Sequence, residues 1–273
     1  MITGSFAARI TAILAMALVT PAFAQSRNVI IFAAGSLRGV VADLSTAVLQ
    51  DSGIKVTAVF GGSGLMRERI EHGEKADLLM SADFASPRQL QAQGRTALPP
   101  FAFARNRMCV VSRRIDEVTP ANLIDRLLDG STRIRTSTPI ADPSGDYAWS
   151  IFERIDAARP GSGERLKAKA RAMMDVTATP ATSSQSAAAA LFAAGRIDLS
   201  ITYCSAAAAL VRELPDLASL EVPAPLDPGP VYAAAVISDR PEVLRVALFL
   251  LSEKGQAILA RNGLLPLSDP GNR

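Results

Sequence analysis

The chain has one histidine, one tryptophan, three tyrosines and two cysteines among 273 residues, and aromatic residues make up only 5% of it. So little histidine and cysteine excludes several chemistries. His72 is predicted at the far end of a short helix that starts near Ser63, so a Ser-His-Asp triad with that serine has no base within reach. It is expected on an exposed helix end with no role. One histidine and two cysteines far apart in sequence match no metal-ligand spacing. A Walker A loop and a G-x-G-x-x-G fingerprint are both absent. Gly61-Gly62-Ser63-Gly64-Leu65 carries leucine where a nucleophile elbow needs glycine, which leaves a serine hydrolase as the weaker alternative. Beyond the first 24 residues no apolar run is long enough to span a bilayer. The formal charge is only +3 and its basic residues are scattered, which gives no case for nucleic acid or a polybasic membrane surface.

What is present points to export and to a large folded unit. Met1 to Arg9 carries one positive charge; the apolar run Ile10 to Val19 follows, then Pro21-Ala22-Phe23-Ala24, the layout of a signal peptide cleaved after Ala24. Removing residues 1–24 takes away Arg9 and lowers the charge from +3 to +2. Position 25 is glutamine, so no lipid-anchored start is expected. With 49% hydrophobic and 20% charged residues, the remainder suffices for one large domain or two lobes. An oxidising setting would permit a Cys109–Cys204 bridge, but sequence alone does not bring them together, and two separate buried thiols are the expectation.

The apolar run Val29 to Ala34 reads as a buried strand, and Leu37, Val40, Val41, Leu44 and Val48 follow at helical spacing up to a stop at Gly53. Lys55 to Phe60 and Ala76 to Met80 read as further strands. Leu65 to His72 lies between them as a helix, and Ser86-Pro87 opens another with Ser86 as its cap. This βαβαβα order argues for a parallel sheet flanked by helices. Strands are also predicted at 107–112, 133–140, 197–203 and 231–237. Further helices are predicted from Thr119-Pro120, over 147–158, 163–173 and 186–194, and over 241–261 with a break at Gly255.

Ser36 and Ser63 each follow a strand and each stand at the start of a helix, which predicts N-caps at the carboxyl ends of parallel strands. The plain consequence is that each satisfies its own helix. Two such helix starts with adjacent glycines also make an anion site that needs no cation, at the open end of the sheet where ligands bind.

Three stretches carry a family resemblance: Phe32-Ala33-Ala34-Gly35-Ser36-Leu37, Phe60-Gly61-Gly62-Ser63-Gly64, and Ile70 to Asp83 with Gly73, Ala76-Asp77 and Ser81-Ala82-Asp83. Asn106-Arg107-Met108, Ala141-Asp142-Pro143 with Gly145-Asp146-Tyr147-Ala148, and Leu199 to Tyr203 extend it. Together they resemble the periplasmic molybdate-binding proteins of ABC importers, within the type II solute-binding fold. The resemblance implies a two-lobed α/β protein, each lobe a mainly parallel sheet flanked by helices. Residues 25–105 with 227–273 would form lobe 1 and residues 106–226 lobe 2, with ligand in the cleft between them. It implies a periplasmic, monomeric binding protein that is not an enzyme, has no cofactor, and hands molybdate or tungstate to importer membrane subunits. Ser36 and Ser63 from lobe 1 and Tyr203 from lobe 2 would hold the oxyanion through neutral donors. The Asp142 to Gly145 loop is shorter than the family's, with Ser144 the nearest equivalent of its main-chain donor. Gln185 stands where the family has an apolar residue, and Tyr203-Cys204-Ser205-Ala206 departs from Y-x-S-D. These changes keep sulfate, phosphate or a small organic carboxylate open as ligands.

Overall fold

A computed structural model describes residues 27–177, 179–180 and 185–267. The signal-peptide expectation for residues 1–24 lies outside the described residues.

The chain opens with the predicted units. Strand β1 (Asn28–Ala34) leads through a single 3₁₀ turn, Gly35–Leu37, into helix α1 (Arg38–Ser52). Helix α1 buries Val40, Val41, Leu44 and Val48, one stripe at 3.6-residue spacing. It ends where Gly53 takes a left-handed φ of 67° and donates its N–H to Leu49, a conformation glycine adopts at little cost. Strand β2 (Lys55–Gly61), helix α2 (Ser63–Glu71) and strand β3 (Leu78–Ser81) follow. Helix α3 (Ala85–Ala92) is capped differently from the expectation. Ser86 lies inside its first turn, and the Asp83 carboxylate accepts both the N–H and the hydroxyl of Ser86. A carboxylate two residues ahead of the helix satisfies the exposed donors better than a hydroxyl already within the turn.

Strand β4 (Phe101–Arg105) closes the first pass, and β5 (Met108–Arg113) begins the second body. Helix α4 (Leu123–Leu128) starts three residues after Pro120, and of the predicted 133–140 strand only β6 (Ile134–Arg135) pairs. Helices α5 (Pro143–Ala158), α6 (Ser162–Met174) and α7 (Ala187–Ala193) precede strand β7 (Leu199–Tyr203). Helix α8 (Cys204–Glu213) and strand β8 (Leu217–Glu221) complete this body. The chain returns through β9 (Val231–Val236), α9 (Pro241–Leu251), α10 (Glu253–Arg261) and β10 (Leu265–Pro266). The break between α9 and α10 falls at Ser252, whose hydroxyl caps α10, and not at Gly255. Gly255 is there for close approach, because a Cβ on it would overlap the Phe249 carbonyl oxygen.

Two sheets result, in strand orders β10-β4-β9-β3-β1-β2 and β6-β7-β5-β8, and the protein is a two-lobed α/β fold. The pairing is more mixed than the mainly parallel expectation. β1 is parallel to β2 and β3, and β6 to β7, but β9 and β10 run antiparallel to their neighbours, and β5 runs antiparallel to β7 and β8. The reason is topological: β9 is entered from the second body and not through a right-handed crossover helix, so it arrives in the opposite sense.

The expectation of two free thiols is overturned. Cys109 and Cys204 form a disulfide with their Cα atoms 4.8 Å apart. Antiparallel pairing of β5 with β7 sets Cys109 opposite Thr202, which brings Cys204 within bridging range.

Candidate functional site

Ser36 sits inside the 3₁₀ turn after β1, and Ser63 is the first residue of α2. Neither is an N-cap as expected: Ala34 and Gly62 hold those positions, with no side-chain cap. Their hydroxyls are therefore not spent on their own helices.

The Ser36 Oγ lies 3.1 Å from the Tyr232 Oη, and the Asn106 amide donates both to Tyr232 and to Ser205 Oγ, at 3.3 and 2.9 Å. The Asn106 carbonyl accepts from Arg107 N–H, which fixes that amide's orientation. Tyr232 accepts from Asn106, and either hydroxyl can donate in the Ser36–Tyr232 pair; when Tyr232 donates, the Ser36 proton is left for another acceptor. Ser63 is fully buried and accepts from the Ala82 N–H at 3.0 Å, which likewise leaves its proton unspent.

Tyr203 ends β7 and stands as the residue before α8. It is 3% exposed, and among the described residues its hydroxyl has no hydrogen-bond partner. Its ring lies between Tyr147 and Tyr232, with centroids 6.1 and 5.5 Å away. Burial, reinforced by the neighbouring Tyr232 and Asp142, pushes the Tyr203 hydroxyl well above its ordinary pKa. Burial raises Tyr147 to about 12 and raises Tyr232 as well. All three phenols are neutral donors at physiological pH. A buried hydroxyl left unpaired costs roughly 1–3 kcal/mol, which marks Tyr203 as awaiting a partner.

Ser144 is buried in the first turn of α5. Its main-chain N–H is taken by the capping carboxylate of Asp142 at 3.1 Å, while its hydroxyl is unpartnered. The donor available from this loop is thus the side chain and not the backbone.

These groups meet in one pocket of about 250 Å³ lined by Ser36, Ser144 and Tyr203 together with Ser137, Asp142 and Thr202. Ser63 is not among its lining residues. Next to it, the 140–141 backbone seats on the start of α2: a Cβ on Gly62 or Gly64 would overlap the Ala141 or Ile140 carbonyl oxygen, and Leu65 N–H donates to Ala141 at 3.4 Å. Gln185 also lies off the pocket, directly before Ser186, whose hydroxyl caps α7. Sequence reasoning missed Tyr232, Asn106 and Asp142 as parts of the site. Asn106 and Asp142 lie in stretches already singled out, but nothing local distinguishes Tyr232 from a core tyrosine. Among the described residues, no group of three His, Cys, Asp or Glu side chains could hold a metal ion.

The family model of the bacterial extracellular solute-binding proteins matches residues 29–265. The chain belongs to this family. Binding proteins of this family bind small ligands and work with the membrane components of ABC importers. It is 35% identical over 242 residues to an uncharacterized protein of Pasteurella multocida, covering 86% of this chain and 98% of that one. In fold it is similar to the periplasmic molybdate-binding protein of Azotobacter vinelandii, at TM-score 0.68 and 20% identity, over 87% of this chain and 98% of that one. It is also similar to the sulfate-binding protein SubI of Mycobacterium tuberculosis, at TM-score 0.73 and 17% identity, over 89% and 88%.

Proposed function

We propose that this solute-binding protein captures a tetrahedral oxyanion, molybdate or tungstate, between its lobes and presents it to an importer. The observation that carries the reading is that the buried Tyr203 and Ser144 hydroxyls, unpartnered among the described residues, line the same small pocket as Ser36. An oxyanion stripped of water needs a full shell of donors, and preorganised neutral hydroxyls supply one without a countercharge. Two solved relatives in fold carry molybdate-binding and sulfate-binding in their names, which agrees with an oxyanion ligand.

Residues 25–105 with 227–273 make lobe 1 in this reading, and residues 106–226 lobe 2. The two crossings, near Asn106 and Pro230, form the hinge, where Asn106 N–H donates to the Pro230 carbonyl at 2.9 Å. Ligand docked on Ser36 draws Tyr203 and Ser144 across and stabilises the closed form. Ser63 acts here as a neighbouring support, its hydroxyl fixing the Ala82 backbone. Residues 1–24 direct export and are removed, and the periplasmic product acts as a monomer.

One observation favours a second reading. Asp142 places a carboxylate on the pocket wall. A carboxylate repels a fully deprotonated dianion but accepts a hydrogen bond from a protonated one. A phosphoryl group, with its second pKa near about 6, keeps such a proton on part of its population, whereas molybdate and sulfate do not.

Calorimetric titration with molybdate, tungstate, sulfate and phosphate, repeated on Ser36→Ala and Tyr203→Phe, tests the proposal. Tight molybdate or tungstate binding that weakens about tenfold or more in both variants supports it. Preference for phosphate moves the assignment to the second reading, and no heat with any of the four overturns both.

A further inference from the structure

The cleft continues past the pocket. Gly35, Ser36, Thr202 and Ala206 line both it and a larger chamber of about 610 Å³. That volume falls among the roughly 300–1,000 Å³ of organic-ligand sites, while the pocket alone falls below them.

Strand register explains what faces the chamber. Along β7, Leu199, Ile201 and Tyr203 belong to the main core, so Ser200 and Thr202 face the opposite side. Arg135 of β6 pairs in register with Ser200, and both residues line the chamber. Ser200 is 1% exposed and its hydroxyl has no partner. Arg135 is partly buried, and among the described residues no hydrogen bond or ion pair engages it. Of the other charged groups there, Arg38 stacks on Phe60, Arg261 faces Asp43 at 3.7 Å, Glu213 accepts the Ser186 N–H, and Arg212 is exposed to solvent. Burial disfavours the Arg135 charge and only the Asp142 carboxylate, at longer range, offsets it, so its planar fork has room for a directly paired carboxylate.

We propose that the chamber is a subsite for the second acidic group of an organic phosphate, whose phosphoryl head sits on Ser36, Ser144, Tyr203 and Asp142 while its carboxylate pairs with Arg135 and Ser200. This rests on the second, phosphoryl reading of the pocket given above, not on molybdate or tungstate as its ligand. Thr202, which lines both spaces, lies about 7 Å along β7 from Ser200, so a spacer of two or three carbons joins the two ends.

The test is calorimetry with a matched pair, 3-phosphoglycerate and glycerol 3-phosphate, which differ in the carboxylate, alongside inorganic phosphate and molybdate. On the unaltered protein, 3-phosphoglycerate is expected to bind about tenfold or more tighter than glycerol 3-phosphate. Arg135→Met is expected to erase that advantage while leaving glycerol 3-phosphate within about threefold, and Arg135→Lys to restore part of it. Thermal unfolding checks that the variants fold, and the comparison on the unaltered protein needs no variant. Equal affinity for the pair, or an advantage indifferent to Arg135→Met, overturns the inference. Binding of molybdate or phosphate without either organic phosphate overturns it and leaves the oxyanion pocket standing. Binding of none of the four removes the pocket reading and the inference with it.

Discussion

The hydroxyl oxygens of Ser36 and Tyr232 lie 3.1 Å apart across 196 positions of sequence. Asn106 donates to Tyr232 from behind, so the phenol and the Ser36 hydroxyl share one hydrogen bond that ties their orientations together. Tyr232→Phe keeps the Ser36 hydroxyl but frees its orientation. Oxyanion affinity is expected to fall about three- to tenfold, less than for Ser36→Ala, in side-by-side titrations. An affinity equal to that of the unaltered protein would show that the relay does not orient Ser36.

Tyr203→Phe is expected to move stability and affinity in opposite directions. The ligand-free protein carries a buried hydroxyl without a partner, so its removal leaves folding stability unchanged or raises it by up to about 1 kcal/mol in urea unfolding. Binding loses that donor and weakens about tenfold. A large loss of stability would mean that the hydroxyl is already satisfied without ligand.

Gly62 and Gly64 admit the 140–141 backbone because they lack a Cβ. Gly62→Ala is expected to hold the lobes apart and cut affinity about tenfold or more. Small-angle scattering would then show no compaction on adding ligand, while the unaltered protein contracts. Contraction equal to that of the unaltered protein would refute a role for this contact in closure.

The disulfide closes a loop of 95 residues and staples β5 to the start of α8, next to Tyr203. Reduction, or the double change Cys109→Ala with Cys204→Ala, is expected to lower stability by about 2–5 kcal/mol in urea unfolding. Thiol titration of the denatured, unreduced protein should find no free thiol.

Burial lifts Tyr147 from 10.0 in its ordinary state to about 12. Between those values the native state holds a proton that the unfolded chain has released, so stability is complete below pH 10 and falls as pH rises toward 12. Urea midpoints measured from pH 8 to 11.5 should decline above pH 10, and less steeply in Tyr147→Phe. Parallel declines in the two proteins would exclude Tyr147 as a contributor.

Much of the first lobe was legible because its signals are local. The apolar run of β1, the stripe of α1 and the stop at Gly53 each follow from side-chain spacing or from glycine's conformational freedom. Strand β4, helix α8 and strand β8 were not read. Helix α8 is alanine-rich, so periodicity gave little contrast between its faces, and β8 alternates weakly at a sheet edge. Ser86 looked like a cap by type and position, but the Asp83 carboxylate, three residues earlier, accepts from Ser86 itself.

By itself the sequence determined that the protein is built from alternating strands and helices, and that Ser36 and Ser63 stand where β1 and β2 hand over to helices. It also limited the chain to one histidine and two cysteines, because such properties depend on residue type and near neighbours. Only the tertiary structure decided that Cys109 meets Cys204, that Ser36 rather than Ser63 lines the pocket with Ser144 and Tyr203, and that Asp142 and Arg135 bring charge to its edges. Those relationships join β1, β5, β6 and β7, elements tens of residues or more apart. Strand register and lobe packing set such distances, and no local pattern encodes them.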